Sequence, residues 1–359
     1  MKPRILQICP HDSPPFGELC QAFTRAAEMA GCESTTVILG RPTDAPLHEN
    51  LYLDLNNVRA AKRRLRKRLN DDAGWDLVIC HRYQAYRAAL GLGVDRLKIV
   101  VLAHEYGMLK SLRRRLHRLF MASSVRFGAV SPSVSRELAK ITGFGLVLPN
   151  VLDLQACRAA RLDRDQARKL LGLTEQDPTE QVTTVGVVGR LHYKKRPELA
   201  VQAFQQFRQT FPNAQLVFVG LGDSEHEQQL TQEGVLVLGN IPNARNAFRA
   251  FNVLLHTGDV ESFGMVILEA MAAGLPVVVG AGGGPEYVLG PLGHYAAEDT
   301  AQAYAEALTR AVNVDLDNYR MLSQQRAEEM FSIAALSRSL ETLVDFVEHP
   351  ETDPYIPPA

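Results

Sequence analysis

Residues 261–280, ESFGMVILEAMAAGLPVVVG, constrain the fold more than any other part of the chain. Gly264 and Gly274 bracket a short alanine-rich stretch, and glycine is the usual residue where a chain enters or leaves a helix in a left-handed conformation. Pro276 then opens a run of valines that we predict to be a buried strand. A short helix that leads at once into a buried strand is typical of α/β proteins with a parallel sheet.

Two glutamates belong to this segment, Glu261 in the loop and Glu269 in the predicted helix. The helical neighbours of Glu269 at spacings of three and four are all apolar, so its carboxylate is expected near a buried face, where a charge needs partners. These neighbours are Met265, Val266, Ala272 and Ala273. A lone glutamate here could simply be favoured by the helix dipole. A pair that brackets Phe263 and Gly264 indicates a site instead.

The rest of the chain repeats the strand and helix alternation. Residues 4–9 (RILQIC) read as a strand, a helix ends near Gly31, and residues 34–40 read as the next strand. Buried strands follow at 75–81 and 96–107, with His81 and His104 at their ends, and a strand and helix pair at 127–143. Since polar residues at the ends of parallel strands face the ligand, both histidines are candidates, with ordinary structural roles as the alternative.

Length and composition limit the classes of protein to which this chain can belong. The 359 residues are enough for two domains, and 46% of them are hydrophobic. No apolar run approaches the roughly 20 residues needed to cross a bilayer, and no signal peptide is evident, so we expect a cytoplasmic protein. The five cysteines form no C-x-x-C pair, which favours reduced thiols over disulfides or zinc.

Charge is divided unevenly along the chain. Residues 1–155 contain 23 Lys and Arg against 14 Asp and Glu, whereas the remainder contains 16 against 26. Two basic helices are predicted, at 58–69 and at 109–120, the second with Leu109, Leu112, Leu116 and Leu119 on one face and arginines on the other. They could be ordinary surface helices or could dock on an anionic membrane, where each basic residue contributes about 1 kcal/mol. No nucleic-acid-reading module accompanies them, so nucleic acid is not an expected partner.

The segment 261–280 resembles the E-x7-E motif of the retaining GT-B glycosyltransferases, the group 1 family (family 4) that includes sucrose, mannosyl and lipopolysaccharide-sugar transferases. The resemblance rests on Glu261, Glu269, the alanine-rich helix and the following G-x-P-V-V. It implies an α/β GT-B fold, in which two Rossmann-like domains with parallel sheets face each other across a cleft. It also implies that Glu261 holds hydroxyls of the transferred sugar and Glu269 the ribose hydroxyls.

The same resemblance extends to other residues. Arg190 and Lys195 match the spacing of the family's diphosphate clamp, G-R-x-x-x-x-K, in a loop that runs into a helix N-terminus suited to phosphate; Lys194 and Arg196 do not match. His104 falls where the family has a histidine that contacts the transferred sugar, and His81 is assigned a structural role. The remaining expected donor-binding residues are Gly17, Gly189, Gly222, Asn240, Ile241, Ser262, Phe263, Gly264, Met265 and Val266.

Some of these matches are incomplete. Gly17 follows Pro14-Pro15-Phe16 at the place where members of the family carry two glycines. A turn that faces the donor phosphates and a simple structured turn are therefore equal alternatives for this segment. Gly220 and Gly222 follow a predicted strand as in a dinucleotide fingerprint, but Glu225 stands in the third glycine's place, which argues against an NAD enzyme. Glycines 282–284 are expected to permit close backbone packing that supports the site.

The resemblance also predicts the domain organisation and the activity. We expect an acceptor-binding domain at 1–155, a nucleotide-sugar-binding domain at 156–335, a helix at 336–350 that crosses back, and a disordered tail at 351–359. The expected activity is metal-independent, cofactor-free transfer of a hexose from a UDP- or GDP-sugar to a glycan or lipid-linked acceptor of the cell surface. A GT-B epimerase or phosphorylase and a noncatalytic sugar-nucleotide or membrane-binding module are the alternatives.

Overall fold

The computed structural model describes residues 2–13, 16–40, 51–52, 63, 65–67, 69, 74–121, 124–143, 145–173, 182–222 and 224–348. The chain divides into two compact units. Unit 1 contains the described residues up to 153 and those from 330 onward, and unit 2 contains residues 154–329. Most of the predicted segment 58–69 lies outside the described residues, as do the tail and Pro14-Pro15.

Unit 1 is built on a seven-stranded parallel sheet in the order β3-β2-β1-β4-β5-β6-β7. The strands are β1 Arg4–Cys9, β2 Glu33–Ile38, β3 Leu51–Tyr52, β4 Leu77–His81, β5 Ile99–Ala103, β6 Arg126–Ala129 and β7 Leu146–Val147. The helices are α1 Phe16–Met29, α2 Arg82–Ala89, α3 Leu112–Met121 and α4 Pro132–Thr142. The central strands are buried along their whole length, as predicted for apolar runs covered by helices on both faces.

Unit 2 contains a six-stranded parallel sheet in the order β10-β9-β8-β11-β12-β13. The strands are β8 Thr184–Val188, β9 Gln215–Val219, β10 Val235–Val237, β11 Val253–His256, β12 Val277–Gly280 and β13 His294–Ala296. The helices are α5 Leu154–Ala160, α6 Arg164–Leu170, α7 Pro197–Arg208, α8 Ser224–Leu230, α9 Met265–Ala273, α10 Gly283–Leu289, α11 Ala301–Val312 and α12 Leu316–Phe331. The core packs Phe204, Phe218 and Tyr304 between the sheet and the helices.

The last helix, α13 Ile333–Glu348, belongs to unit 1 and packs against α1. The connection is anchored by a short backbone pairing in which Leu152 N donates to Phe331 O at 2.9 Å. Unit 1 is therefore completed only by the final part of the chain, and the segment that forms unit 2 is inserted into it.

The segment 261–280 folds as predicted. Gly264 (φ 97°) precedes α9, and Gly274 (φ 76°) ends it, both in left-handed conformations that favour glycine. The valine run after Pro276 is β12, which is buried and lies between β11 and β13. These two neighbours, and β3, were not predicted from the sequence.

The second predicted basic helix is observed as α3, and its leucine face is exposed. Leu109 is buried, but it precedes the helix. Three apolar side chains of α3, Leu112, Leu119 and Phe120, are 70%, 57% and 78% exposed. Among the described residues, no helix combines the length and the apolar character needed to cross a membrane.

Candidate active site

A lysine, a histidine and a glutamate meet at the carboxyl ends of the strands of unit 2. Lys195 Nζ donates to Glu261 Oε2 at 2.5 Å, and His256 Nε2 lies 3.2 Å from the same Nζ and 3.5 Å from the same Oε2. Lys195 belongs to a short 3-10 turn after β8, His256 is the last residue of β11, and Glu261 lies in the following loop. The side chain of His256 is only 5% exposed, that of Glu261 19% and that of Lys195 35%. We call this group the Lys195 cluster.

The Lys195 cluster keeps the Glu261 carboxyl ionised. Burial alone would raise the pKa of Glu261, but the hydrogen bond from His256 and the positive charge of Lys195 outweigh burial and lower the pKa to about 2. At neutral pH this side chain is therefore an acceptor of hydrogen bonds and cannot serve as a proton donor.

The backbone of the Lys195 turn is tied to the strand beside it. Thr257 Oγ1 donates to Lys195 O at 2.8 Å and to Arg196 O at 3.0 Å. Arg196 adopts a left-handed conformation (φ 52°) and forms two hydrogen bonds with Asp299, at 2.7 and 2.8 Å, so its guanidinium is engaged in a structural pair. Lys194 is exposed. Lys195 therefore differs from its two basic neighbours in facing Glu261 and His256.

Three glycine turns lie beside the Lys195 cluster, at the ends of β8, β9 and β10. Gly189 N donates to Val219 O at 2.9 Å, and Gly220 N donates to Gly239 O at 2.8 Å. A Cβ atom on Gly220 would lie 1.8 Å from Gly189 O, so this contact requires glycine. Asn240 directly follows the third turn. The expected donor-binding residues Gly189, Gly222, Asn240 and Ile241 therefore share one edge of the sheet, where backbone groups could approach a nucleotide closely.

The loop that carries Glu261 is fixed by the glycine-rich start of α10. Gly284 N donates to Glu261 O at 3.1 Å, and a Cβ on Gly284 would lie 2.3 Å from Phe263 N. Phe263 is buried, and its ring packs edge-on toward Tyr287 at 6.4 Å. The expected supporting role of glycines 282–284 is confirmed at Gly284.

The expected residues of the 262–266 segment differ in what they could offer a ligand. Phe263 and Gly264 are buried, and Ser262, Met265 and Val266 are half-buried around the first turn of α9. Glu269 is half-buried one turn further on, in a groove that it shares with Arg158, Arg161 and Arg245.

Arg190 has an exposed side chain in the loop after β8. Among the described residues it makes no ion pair, so its guanidinium is available to a ligand. Its backbone lies at the same strand end as Lys195, since Leu191 N donates to Leu221 O at 2.7 Å and holds the loop against the turn that follows β9.

In unit 1, a hydrogen-bonded chain joins the half-buried His104 to the buried side chains of His81 and Gln7. His104 Nε2 lies 2.9 Å from His81 Nδ1, and His81 Nε2 lies 2.8 Å from Gln7 Oε1. The Gln7 amide nitrogen donates to Cys20 O and to Thr36 Oγ1, which leaves Gln7 Oε1 as an acceptor. His81 Nε2 must then carry a proton. In neutral rings, His81 Nδ1 accepts from His104 Nε2, so the tautomers of both histidines are fixed.

Burial, together with the charge of Arg82, lowers the pKa of His81 to about 3, and burial also lowers that of His104. Gly17 lies in the first turn of α1, where it is buried, rather than in the loop expected from the sequence. The ring of its neighbour Phe16 packs edge-on against His104 at 5.0 Å.

We expect the stability of the protein to fall between pH 7 and pH 5 because of His81. The unfolded chain takes up a proton near pH 6.5 but the folded chain does not, so the stabilisation is complete above that pH and is lost progressively toward pH 3. Asparagine cannot titrate. Between pH 7 and pH 5, the unfolding free energy of His81→Asn should therefore fall by about 2 kcal/mol less than that of the parent. Urea titrations at the two pH values measure the difference, and parallel losses in the two proteins would contradict it. Glu261 does not interfere, because the stabilisation from its lowered pKa is lost only below about pH 4.5.

Sequence reasoning missed His256. Its signal was available: a histidine closes the apolar run 253–256 and stands five residues before Glu261. Among the described residues, no group of three histidine, cysteine, aspartate or glutamate side chains could hold a metal ion.

The chain is similar to known proteins in sequence and in fold. Residues 174–329 match the family model described as Glycosyl transferases group 1. The putative teichuronic acid biosynthesis glycosyltransferase TuaC of Bacillus subtilis is 33% identical over 186 residues, which are 51% of this chain and 45% of that protein. The D-inositol 3-phosphate glycosyltransferase of Segniliparus rotundus is 35% identical over 150 residues, 38% of this chain and 32% of that protein. The chain thus covers less than half the length of either relative.

Solved structures match over nearly the whole chain. A glycosyltransferase from Rickettsia africae has a TM-score of 0.75 at 16% identity, with 97% of this chain and 99% of that chain covered. Anabaena Alr3699/HepE in complex with UDP-glucose has a TM-score of 0.73 at 18% identity, with 95% and 99% covered. The chain has the α/β GT-B fold, and its residues 174–329 are similar to the glycosyl transferases group 1 family.

Proposed function

We propose that this protein is a retaining hexosyltransferase that uses a UDP- or GDP-sugar. The observation that carries the proposal is the Lys195 cluster, which joins a diphosphate-clamp lysine to the first glutamate of the E-x7-E motif beside three glycine turns. The match of residues 174–329 to a glycosyltransferase family supports the reaction class, and the binding of UDP-glucose by a protein of the same fold supports the class of donor. The acceptor is a glycan or lipid-linked glycan of the cell surface, and the similarity to TuaC, named for teichuronic acid biosynthesis, supports this class.

The proposed chemistry begins with departure of the nucleoside diphosphate. Negative charge then develops on its outer phosphate, and Arg190 and Lys195 stabilise that charge, so that neither a divalent metal nor a cofactor is required. Glu261 accepts hydrogen bonds from hydroxyls of the transferred sugar, a role that suits its low pKa. Glu269 accepts from the ribose hydroxyls, and His104, oriented by His81 and Gln7, contacts the sugar.

The anomeric configuration of the sugar is proposed to be retained because the acceptor hydroxyl attacks the same face of the sugar from which the diphosphate departs. The departing phosphate then takes the proton of the acceptor hydroxyl, and no covalent sugar–enzyme bond forms. Intact-protein mass spectrometry of Glu261→Gln during turnover is expected to show only the unmodified mass. A stable hexosyl adduct would overturn this path in favour of double displacement.

The function is tested with a thermal-shift panel of UDP, GDP, ADP and their common sugars, with and without EDTA. A ligand that binds the folded form raises Tm by an amount that grows with its concentration relative to Kd. One nucleotide is expected to raise Tm equally with and without EDTA, and Glu269→Ala is expected to abolish most of that shift. Glu298→Ala, which removes an exposed glutamate of the same unit, is the matched control.

A noncatalytic sugar-nucleotide-binding module is the second candidate, because it would share the donor site. The two are separated by hydrolysis of the stabilising nucleotide-sugar, which transferases commonly carry out slowly without acceptor. A nucleotide shift with no release of nucleoside diphosphate, even with lipid-linked glycan acceptors present, would favour the noncatalytic module. No shift with any nucleotide would overturn both.

We also propose that α3 rests on an anionic membrane. Its apolar side chains Leu112, Leu119 and Phe120 are exposed beside arginines, a combination that suits the boundary between lipid headgroups and acyl chains. Arg114 and Arg118 donate to backbone carbonyls of Met108, Ile141 and Thr142, so they also hold the helix to unit 1.

Exchanging Leu119 and Phe120 for serine is expected to weaken binding to vesicles that contain phosphatidylglycerol by about 30-fold or more, since each apolar side chain contributes on the order of 1 kcal/mol or more when buried. Vesicle sedimentation measures the change. Met29→Ser, which removes an exposed methionine of α1, should bind like the parent. Equal binding by all three proteins, or loss of self-association instead of vesicle binding, would contradict a lipid partner.

A further inference from the structure

Two adjoining grooves of unit 2 are lined with arginines. Arg158, Arg161 and Arg245 line the first groove, and Arg164, Arg249 and Arg320 line the second. Ala273, at the end of α9, borders both grooves, so they are continuous. This concentration is unexpected because the chain after residue 155 carries an excess of acidic residues. We call these six residues the arginine groove.

The second half of the arginine groove lies away from the Lys195 cluster. This half is formed by Phe251 and Asn252, which precede β11, and by Gly274 and Pro276, which precede β12. These are the amino ends of strands whose carboxyl ends carry His256 and the proposed donor site. A ligand held at this half would therefore occupy the opposite edge of the same sheet.

Two arginines of the arginine groove form ion pairs with exposed carboxylates. Arg158 pairs with Glu328 at 2.8 Å and Arg320 with Asp317 at 3.3 Å, but both carboxylates are largely exposed and contribute little. Glu269 is the one acidic residue among the described residues that line the two grooves. Burial, and then repulsion from Arg249, Arg158 and Arg320, lowers the pKa of Arg161.

Three guanidinium nitrogens of this group are buried without a hydrogen-bond acceptor among the described residues. They are Nη1 of Arg161, Nε of Arg249 and Nε of Arg320. A buried donor without an acceptor is costly, and folded proteins rarely leave several together unless a ligand or water satisfies them. Each Nε group can donate one hydrogen bond and the Nη1 group can donate two, and a tetrahedral oxyanion such as phosphate can accept them.

We propose that the arginine groove binds a multiply charged, phosphate-bearing small molecule. Guanidinium groups match phosphate oxygens through paired, charge-assisted hydrogen bonds, and several of them are needed to hold more than one negative charge. The phosphate would accept from Arg161 and Arg249 and relieve the repulsion between them. The proposed phosphate site is distinct from the Lys195 cluster, although Glu269, which we propose to bind the donor ribose, also borders its first half. The proposal stands whether or not the protein is a transferase.

Inorganic pyrophosphate is the probe, and isothermal titration at constant ionic strength is the measurement. Because the proposed donor site could also take a diphosphate, the titration is made in the parent and in Lys195→Ala. Pyrophosphate is expected to bind Lys195→Ala with at least one equivalent. Arg161→Gln and Arg249→Gln, each combined with Lys195→Ala, are expected to weaken that binding by tenfold or more.

Lys169→Gln is the matched control, because it removes one exposed positive charge of the same unit. It should bind pyrophosphate like its parent. Without ligand, Arg161→Gln and Arg249→Gln should unfold at a temperature no lower than the parent, because each substitution removes repulsion between arginines. This control excludes misfolding as the reason for lost binding. Binding that disappears in Lys195→Ala alone, or that survives both arginine substitutions, would overturn the proposal. Failure of the transferase assay would leave it unaffected.

Discussion

Replacing Lys195 with alanine is expected to lower kcat by about 10²- to 10³-fold, the usual cost of removing one group that stabilises charge developing in a transition state. The effect should fall on kcat more than on KM, because the additional charge on the diphosphate exists only while the sugar bond breaks. Lys195 also pairs with Glu261, so the variant loses the charge that keeps this carboxyl ionised.

Lys194→Ala is the matched control for this experiment. The neighbouring lysine is exposed and lies outside the clamp spacing, so kcat should stay within about twofold, as is usual for exposed positions away from a site. Single-turnover rates with the nucleotide-sugar identified by thermal shift separate the chemical step from product release. Equal kcat values for Lys195→Ala and the parent would remove Lys195 from the proposed role, even if nucleotide binding were weaker.

Gly284→Ala is expected to lower the unfolding free energy by about 3 kcal/mol, at the upper end of the usual cost of overpacking. The added Cβ would lie 2.3 Å from Phe263 N and 2.4 Å from its Cα, and a backbone cannot yield as a flexible side chain can. The loop that carries Glu261 would have to move away from α10. We therefore expect the variant also to lose the stabilisation by nucleotide that the parent shows.

Urea unfolding with and without the nucleotide measures both effects of Gly284→Ala. Gly93→Ala is the control, since a Cβ there has no neighbour within 4 Å and its φ is not positive. A Gly284→Ala protein that is as stable as Gly93→Ala would show that the contact between α10 and the loop yields easily. The loop would then not depend on glycine for its position.

The strongest predictions from sequence came where local and long-range signals agree. In the segment 261–280, two glycines, a proline and an apolar run each indicate the same boundaries, and α9 and β12 follow them closely. The strand at residues 4–9 was likewise predicted at its observed limits. The boundaries of these elements depend on backbone conformation and burial, and both can be predicted from the types of residue present.

Other features depend on tertiary contacts that a single sequence does not reveal. The spacing of leucines in α3 identifies an apolar face but does not say whether another element covers it. In the structure Leu112 stays exposed, while the arginine side chains reach backbone carbonyls of neighbouring elements. His256 was overlooked because its strand is four residues long, and its proximity to Lys195 arises only from the pairing of β11 with β8.

Because unit 2 is inserted into unit 1, all residues of unit 2 are synthesised before unit 1 is complete. All of residues 154–329 are synthesised before α13, so unit 2 can be complete while α1 still lacks the helix that covers it. Domains generally fold as units in the order of their synthesis. Here that order is interrupted: the part of unit 1 up to residue 153 gains the cover of α13 only after the whole of residues 154–329 has been made.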